Sequence, residues 1–156
     1  MSGLLRVVCL DRCATDVRRL RACLPVFRDR RVSVTHVDAV HDVVDRLTRL
    51  HADVLFIDED LPSVTGVETI CALRSAGEHR PIVATTPTDC GYLAADLMRA
   101  GADGYLAKRD LHRELVEGVL DRALHTARSR RAHDRLRRNA VRQMIAERGH
   151  AAMGLT

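Results

Sequence analysis

One lysine, Lys108, stands among the 25 basic residues of this chain, directly after the apolar run Gly104-Tyr105-Leu106-Ala107. Arginine presents a broad planar fork, whereas lysine ends in a compact ammonium that sits as a point charge against a carboxylate or a phosphoryl oxygen. Two other apolar runs end in residues such an ammonium could serve: Val54 to Ile57 leads into Asp58, and Pro81 to Thr85 leads into Thr86. A carboxylate, a hydroxyl and an ammonium would form a site if those runs are neighbouring strands.

The surrounding pattern supplies the strands. Leu4 to Leu10, Val32 to Val37, Val54 to Asp58, the run opened by Pro81, and the run ending at Lys108 are short, apolar and β-branched-rich. Helical spacing separates them: Val17, Leu20 and Leu24 share one face, as do Val40, Val43, Val44, Leu47 and Leu50, then Val67, Ile70 and Leu73. A helix is expected from about Leu93 to Arg99, closed by Gly101 as a C-cap, and Asp110 is expected to N-cap the last helix. Five βα units in succession predict an α/β, doubly wound, five-stranded parallel sheet, and ligands of that class bind beyond the carboxyl ends of the strands. Asp11, Asp58, Thr86 and Lys108 all fall there.

Composition bounds the rest. With 156 residues and 46% hydrophobic content, the chain is long enough for one domain with a proper core and too short for two of usual size. There is no apolar stretch near 18 residues and no signal-like N-terminus, so no membrane span is expected and a cytoplasmic protein is. The five cysteines, 9, 13, 23, 71 and 90, include no C-x-x-C pair and read as buried reduced thiols. The scattered histidines give no zinc pattern.

The stretch from Leu4 to about Leu124 resembles the receiver (CheY-like) domain of two-component response regulators. Asp58-Glu59-Asp60-Leu61-Pro62-Ser63-Val64-Thr65-Gly66 is similar to the family's D-x-x-M/L-P-x-x-x-G around its phosphorylated aspartate. Thr86 follows at the end of the fourth strand, and Gly101 to Lys108 is similar to G-A-x-G-Y-h-x-K. The resemblance implies a flavodoxin-like strand order 2-1-3-4-5. It also implies phosphoryl transfer from a histidine kinase or phosphotransfer protein to Asp58, with Lys108 and Thr86 contacting the phosphoryl group, and a downstream protein partner. Thr86 and Tyr105 would form the switch, Asp60 and Thr88 would tune hydrolysis, and Mg²⁺ would bind through Asp11, Asp58 and the carbonyl of Asp60. No enzymatic activity is expected beyond self-phosphorylation and self-dephosphorylation. A carboxylate is a competent nucleophile toward a phosphoryl donor once the charge on the transferring oxygens is neutralised.

The sequence departs from the pattern in two places. The family carries two adjacent acids at the end of its first strand, and here Asp11 is followed by Arg12. A guanidinium in place of a carboxylate should weaken divalent metal binding, leaving Mg²⁺ weakly bound or dispensable. Three arrangements stand open: Arg12 points to solvent, or it turns toward Asp58 and replaces part of the metal's charge, or Asp58 is never phosphorylated. The last would make the chain a pseudo-receiver, a phosphorylation-independent interaction scaffold. Second, Arg109 replaces the proline that commonly follows the lysine; a cis bond there would cost about 2.5–4 kcal/mol, so a trans loop is expected.

Residues 125–156 differ in character from 1–124. They carry eight arginines against Asp134 and Glu147, a balance of +6 in a chain whose total is +4. No glycine or proline occurs from Val119 to Arg148, so the last helix should run on past the receiver domain as a basic extension. Its apolar steps at Val116, Leu120, Ala123 and Ala127 break at Arg130 and Arg131 and resume at Leu136, Ala140 and Met144. That seam favours pairing with another chain, a homodimer, or a linker helix, although within these 156 residues no output domain follows. Nucleic acid could meet the arginines non-specifically, but 3% aromatic content and no helix-turn-helix spacing argue against sequence readout.

Overall fold

The computed structural model describes residues 3–38 and 41–154. Strands β1 (Leu4–Leu10), β2 (Val26–Phe27), β3 (Arg30–Val37), β4 (Val54–Asp58), β5 (Ile82–Thr86) and β6 (Gly104–Ala107) form one sheet in the order β2-β3-β1-β4-β5-β6. The five long strands are parallel and follow the expected winding. The sixth is a correction: β2 pairs antiparallel with the start of β3 through Val26↔Arg31 and Phe27↔Arg30. Its two-residue turn places both Arg28 and Asp29 at positive φ, the geometry that a tight hairpin demands of its central residues.

Helices α1 (Ala14–Cys23), α2 (Val43–Arg49), α3 (Gly66–Ser75), α4 (Gly91–Ala100) and α5 (Arg113–Met153) connect and cover the strands. Period-two alternation in the strands sorts the core into two layers. Leu5, Val7, Cys9, Val54 and Phe56 pack with α1 and α5, while Val8, Leu10, Leu55 and Ile57 pack with α2, α3 and α4. Val40, expected on the second helix, lies outside the described residues. Gly101 closes α4 at φ +117°, as expected of a C-cap glycine.

The last helix starts differently from expectation. Lys108, Arg109 and Asp110 form one 3-10 turn, and α5 is capped by His112, whose Nδ1 accepts from the Leu115 amide at 3.3 Å. Asp110 therefore lies too early to cap it. Among the described residues no peptide bond is cis, so the loop at Arg109 is trans as expected. The cysteines are free, but only Cys9 is fully buried, and Cys71 and Cys90 are exposed on their helix turns, against the expectation of buried thiols. No helix among the described residues is long and apolar enough to cross a membrane.

Helix α5 is continuous over 41 residues. Val116, Val119, Leu120, Ala123 and Ala127 bury its first half against the sheet. The break in the apolar steps is where arginines take over the anchoring. Arg130 pairs with Asp103, whose side chain is wholly buried and also accepts from Arg74 Nη2 at 2.8 Å and the Ile82 amide at 3.0 Å. Arg131 Nε donates to the carbonyl of His79 at 3.2 Å. From Arg135 to Gly154 every residue is exposed.

Candidate functional site

The strand order reverses between β1 and β4: the chain winds outward from β1 through β3, then returns to continue through β4, β5 and β6. The crevice beyond the carboxyl ends of the strands at such a reversal is the ligand-binding position of this architecture. Asp11 follows β1, Asp58 ends β4, Thr86 ends β5 and Lys108 follows β6, so all four are brought to that edge.

Lys108 is the centre of the cluster. Its Nζ lies 2.6 Å from Asp11 Oδ2, 3.0 Å from Asp58 Oδ2 and 3.1 Å from Asp16 Oδ2. Lys108, Asp11 and Asp58 are each at least nine-tenths buried. The backbone is fixed around them: Arg19 donates to the Lys108 carbonyl at 3.0 Å, His36 Nε2 meets the Asp11 carbonyl at 2.7 Å, and the Cys13 amide donates to Asp11 Oδ1 at 2.7 Å. One ammonium thus serves three carboxylates. Burial works against the charge on Lys108, but the hydrogen bond to Asp11 and the field of Asp58 outweigh it and hold its pKa above the usual value.

Asp58 is held differently from its neighbours. Oδ2 faces Lys108, whereas Oδ1 is buried with no hydrogen-bond partner. An ionised buried oxygen without a partner is costly, and burial pushes the Asp58 carboxyl up to about 6, opposed by Lys108 and reinforced by the negative charge of Asp11. Asp16, partly buried, goes the other way: burial would raise it, but the hydrogen bond to Lys108 holds it below the usual carboxylate range.

The motif following Asp58 has a mechanical reason. A Cβ on Gly66 would come within 2.7 Å of Glu59 Cα and 2.8 Å of the Asp58 carbonyl, so only glycine lets α3 begin this close to the end of β4. Glu59 Oε2 accepts from the Val67 amide at 2.9 Å, and Thr65 with Glu68 completes a capping box. These contacts fix the loop that carries Asp60.

Thr86 is fully buried, and its hydroxyl donates to the Thr88 carbonyl at 2.8 Å, 3.0 Å from the phenol oxygen of Tyr105. That phenol accepts from the Cys90 amide at 3.1 Å and lies 3.2 Å from Asp89 Oδ1. Thr86 and Tyr105 are therefore in direct contact, through the loop that leads into α4.

Arg12 does not turn to Asp58: it lies exposed at the surface, and its Nη2 forms an ion pair with Asp60 Oδ2. The β1–α1 and β4–α3 loops are joined across the switch point by this pair, with both side chains about half exposed (55% and 49%). The consequence for a divalent metal is unfavourable. Asp11 has both oxygens engaged, one oxygen of the Asp60 carboxylate is paired with a guanidinium, and Asp58 Oδ1 is buried without a partner. Among the described residues no group of three or more His, Cys, Asp or Glu is placed to hold a metal ion. The donor set does not fit Mg²⁺.

Sequence reasoning missed Asp16. A signal was present, an acid in the first turn of a helix that starts just after Asp11, but at sequence level such a residue reads as a favourable charge at a helix N-terminus.

Residues 15–120 match the family described as the response regulator receiver domain, and the chain belongs to that family. It is 34% identical over 76 residues, 49% of its length, to the nitrate/nitrite response regulator protein NarP of Escherichia coli, covering 35% of that protein. It is 37% identical over 75 residues, 46% of its length, to the two-component response regulator PhoP of Pseudomonas aeruginosa, covering 33%. The chain spans about a third of the length of these curated relatives. Among solved structures, the chemotaxis response regulator CheY4 of Vibrio cholerae matches 78% of this chain and 99% of its own, with a TM-score of 0.65 at 20% identity. The signal receiver domain of a Luxo repressor protein from Vibrio parahaemolyticus matches 85% of this chain and 97% of its own, with a TM-score of 0.67 at 15% identity. These likenesses establish the fold and the two-component signalling class.

Proposed function

We propose that this chain is a phosphoacceptor receiver in which Asp58 takes a phosphoryl group from the phosphohistidine of a kinase or phosphotransfer protein. The observation that carries this is the asymmetry of Asp58, with one oxygen on Lys108 and the other buried and unpartnered. In the transfer, Asp58 Oδ1 forms the new P–O bond as the donor's P–N bond breaks. The imidazole nitrogen leaves with the electron pair and takes up a proton from solvent. Lys108 neutralises charge on the acyl phosphate, and the Thr86 hydroxyl leaves the Thr88 carbonyl to donate to a phosphoryl oxygen. Because Thr86 Oγ1 touches the Tyr105 phenol, its departure removes a contact from Tyr105 and alters the surface near α4 that a downstream partner meets.

The exposed half of α5 supports a second part of the reading, self-association. With 3.6 residues per turn, Leu136, Ala140, Val141, Met144 and Ile145 fall on one half of the helix, interrupted by Arg137 and Arg148, and Arg131, Arg135, Arg138 and Arg142 cluster on the adjoining arc. A second copy of α5 covers these apolar side chains, with Arg137 and Arg148 reaching past the seam to water and the arc of Arg131, Arg135, Arg138 and Arg142 left facing outward. We keep the division between a receiver at 1–124 and an extension at 125–156, with the first turns of the extension, to Arg131, still anchored on the domain.

The test is intact mass after incubation with a small phosphodonor, for the native chain and Asp58→Asn. A gain of one phosphoryl group that vanishes in Asp58→Asn supports the acceptor reading. No gain with the small donor or with a phosphorylated histidine kinase overturns it in favour of a phosphate-independent scaffold.

A further inference from the structure

Resting on the acceptor reading, the geometry points to Arg12 as the site's second cation: it exchanges Asp60 for the incoming phosphoryl group and makes transfer to Asp58 independent of a divalent metal. The charge balance demands a second cation. Asp16 is shared between Lys108 and Arg19, whereas the buried Asp11 and Asp58 have the Lys108 ammonium between them, and the arriving phosphoryl group adds further negative charge. The donor set described above does not supply that cation as a metal.

Arg12 is placed to supply it. It is adjacent to Asp11, and its guanidinium already reaches the loop two residues beyond Asp58. Its present partner is held weakly. The Arg12–Asp60 pair is about half exposed on both sides, and ion pairs of that kind contribute little. A guanidinium on phosphoryl oxygens makes two parallel charge-assisted hydrogen bonds and stays charged at every working pH. The exchange is therefore downhill only once a phosphoryl group is present, and Asp60 is released in the same movement.

The experiment measures labelling rate by intact mass with a small phosphodonor, in EDTA and in Mg²⁺, on the native chain, Arg12→Ala and Arg12→Asp. Alongside it, Mg²⁺ titration of the thermal midpoint reports metal binding and folding without reference to labelling. The native chain is expected to label at the same rate in EDTA and Mg²⁺, with no Mg²⁺-dependent shift of its midpoint. Arg12→Ala should label about 10²-fold more slowly in EDTA, the scale of losing one donor at a developing charge. Arg12→Asp should label only with Mg²⁺ and show a midpoint that rises with it. Native labelling abolished by EDTA, or Arg12→Ala labelling as fast as the native chain, overturns the inference. Labelling of Arg12→Asp with Mg²⁺ while the native chain never labels also overturns it, yet leaves the Asp58 acceptor geometry standing. No labelling of any variant, with the small donor and with a phosphorylated histidine kinase alike, overturns both.

Discussion

The ammonium of Lys108 and the carboxylate of Asp58 lie 3.0 Å apart, yet only one oxygen of that carboxylate gains from the contact, and the other is buried without a partner. The site is thus held in a state that is unfavourable until something binds Oδ1. Under the proposed acceptor role, bond formation at Oδ1 relieves that cost.

The first prediction concerns stability and pH. The folded-state pKa of Asp58 is about 6 against a reference of 3.8, so between those values the folded chain binds more protons than the unfolded one. Stability from this group therefore falls as pH rises through that window and stays lower above it. Asp58→Asn, which carries no charge, should be more stable than the native chain by about 1–3 kcal/mol at pH 7.5, with the difference shrinking as pH falls from about 6 to about 4. Urea denaturation across that range checks it. Equal or lower stability of the variant at pH 7.5 would contradict the burial of an ionised Asp58.

A second prediction follows from Tyr105. Its phenol oxygen accepts the Cys90 amide at 3.1 Å, at the entrance to α4. Tyr105→Phe removes that acceptor, and a lost hydrogen bond of about 1 kcal/mol corresponds to roughly five-fold faster amide exchange at Cys90. Native-state exchange read by NMR gives the answer, and an unaltered Cys90 rate would mean that the loop is held by other contacts.

The architecture was legible because it rests on repetition. Alternating apolar runs and helical faces give the five parallel strands, and strand ends bring Asp11, Asp58, Thr86 and Lys108 together without any knowledge of contacts. What escaped has physical reasons. Val26–Phe27 is too short for an alternating pattern, and its turn carries Arg28 at positive φ, where glycine or asparagine would have signalled a hairpin. Asp110 has the right chemistry for a cap but is taken into a 3-10 turn, so the cap moves to His112. The target of Arg12 depended on which of several nearby carboxylates was free. Lys108 engages Asp11, Asp16 and Asp58 in the interior, and Asp60 was left at the surface.

The third prediction ranks two arginines on one carboxylate. Asp103 is wholly buried and receives Arg74 and Arg130. Arg74 also donates to the carbonyls of Gly101, Glu78 and Arg80 at 2.8, 2.8 and 2.9 Å, so its loss leaves several buried acceptors unsatisfied. Arg74→Ala should cost about 3–5 kcal/mol, whereas Arg130→Ala, which leaves the Asp103–Arg74 pair intact, should cost about 1 kcal/mol. Shifts of the urea midpoint at constant slope measure both. A larger cost for Arg130→Ala would mean that α5 anchoring, not the buried charge, dominates this end of the sheet.

The fourth prediction separates the anchored half of α5 from its exposed half. A cut at Leu124 would remove Ala127, Arg130 and Arg131, all of which contact the domain, and would confuse loss of packing with loss of pairing. A truncation ending at His133 keeps every one of them and removes only the exposed stretch bearing Leu136, Val141, Met144 and Ile145. Light scattering should give twice the monomer mass for the full chain and the monomer mass for the truncated one, with similar thermal midpoints for the domain at low concentration. Placing Glu at both Leu136 and Met144 should reproduce the monomer in the full-length chain, because two carboxylates in a paired apolar seam cost more than the seam returns. If the full chain is already a monomer, the apolar half of α5 does not pair with its own copy, and the arginine arc beside it becomes the surface to probe with an anionic partner.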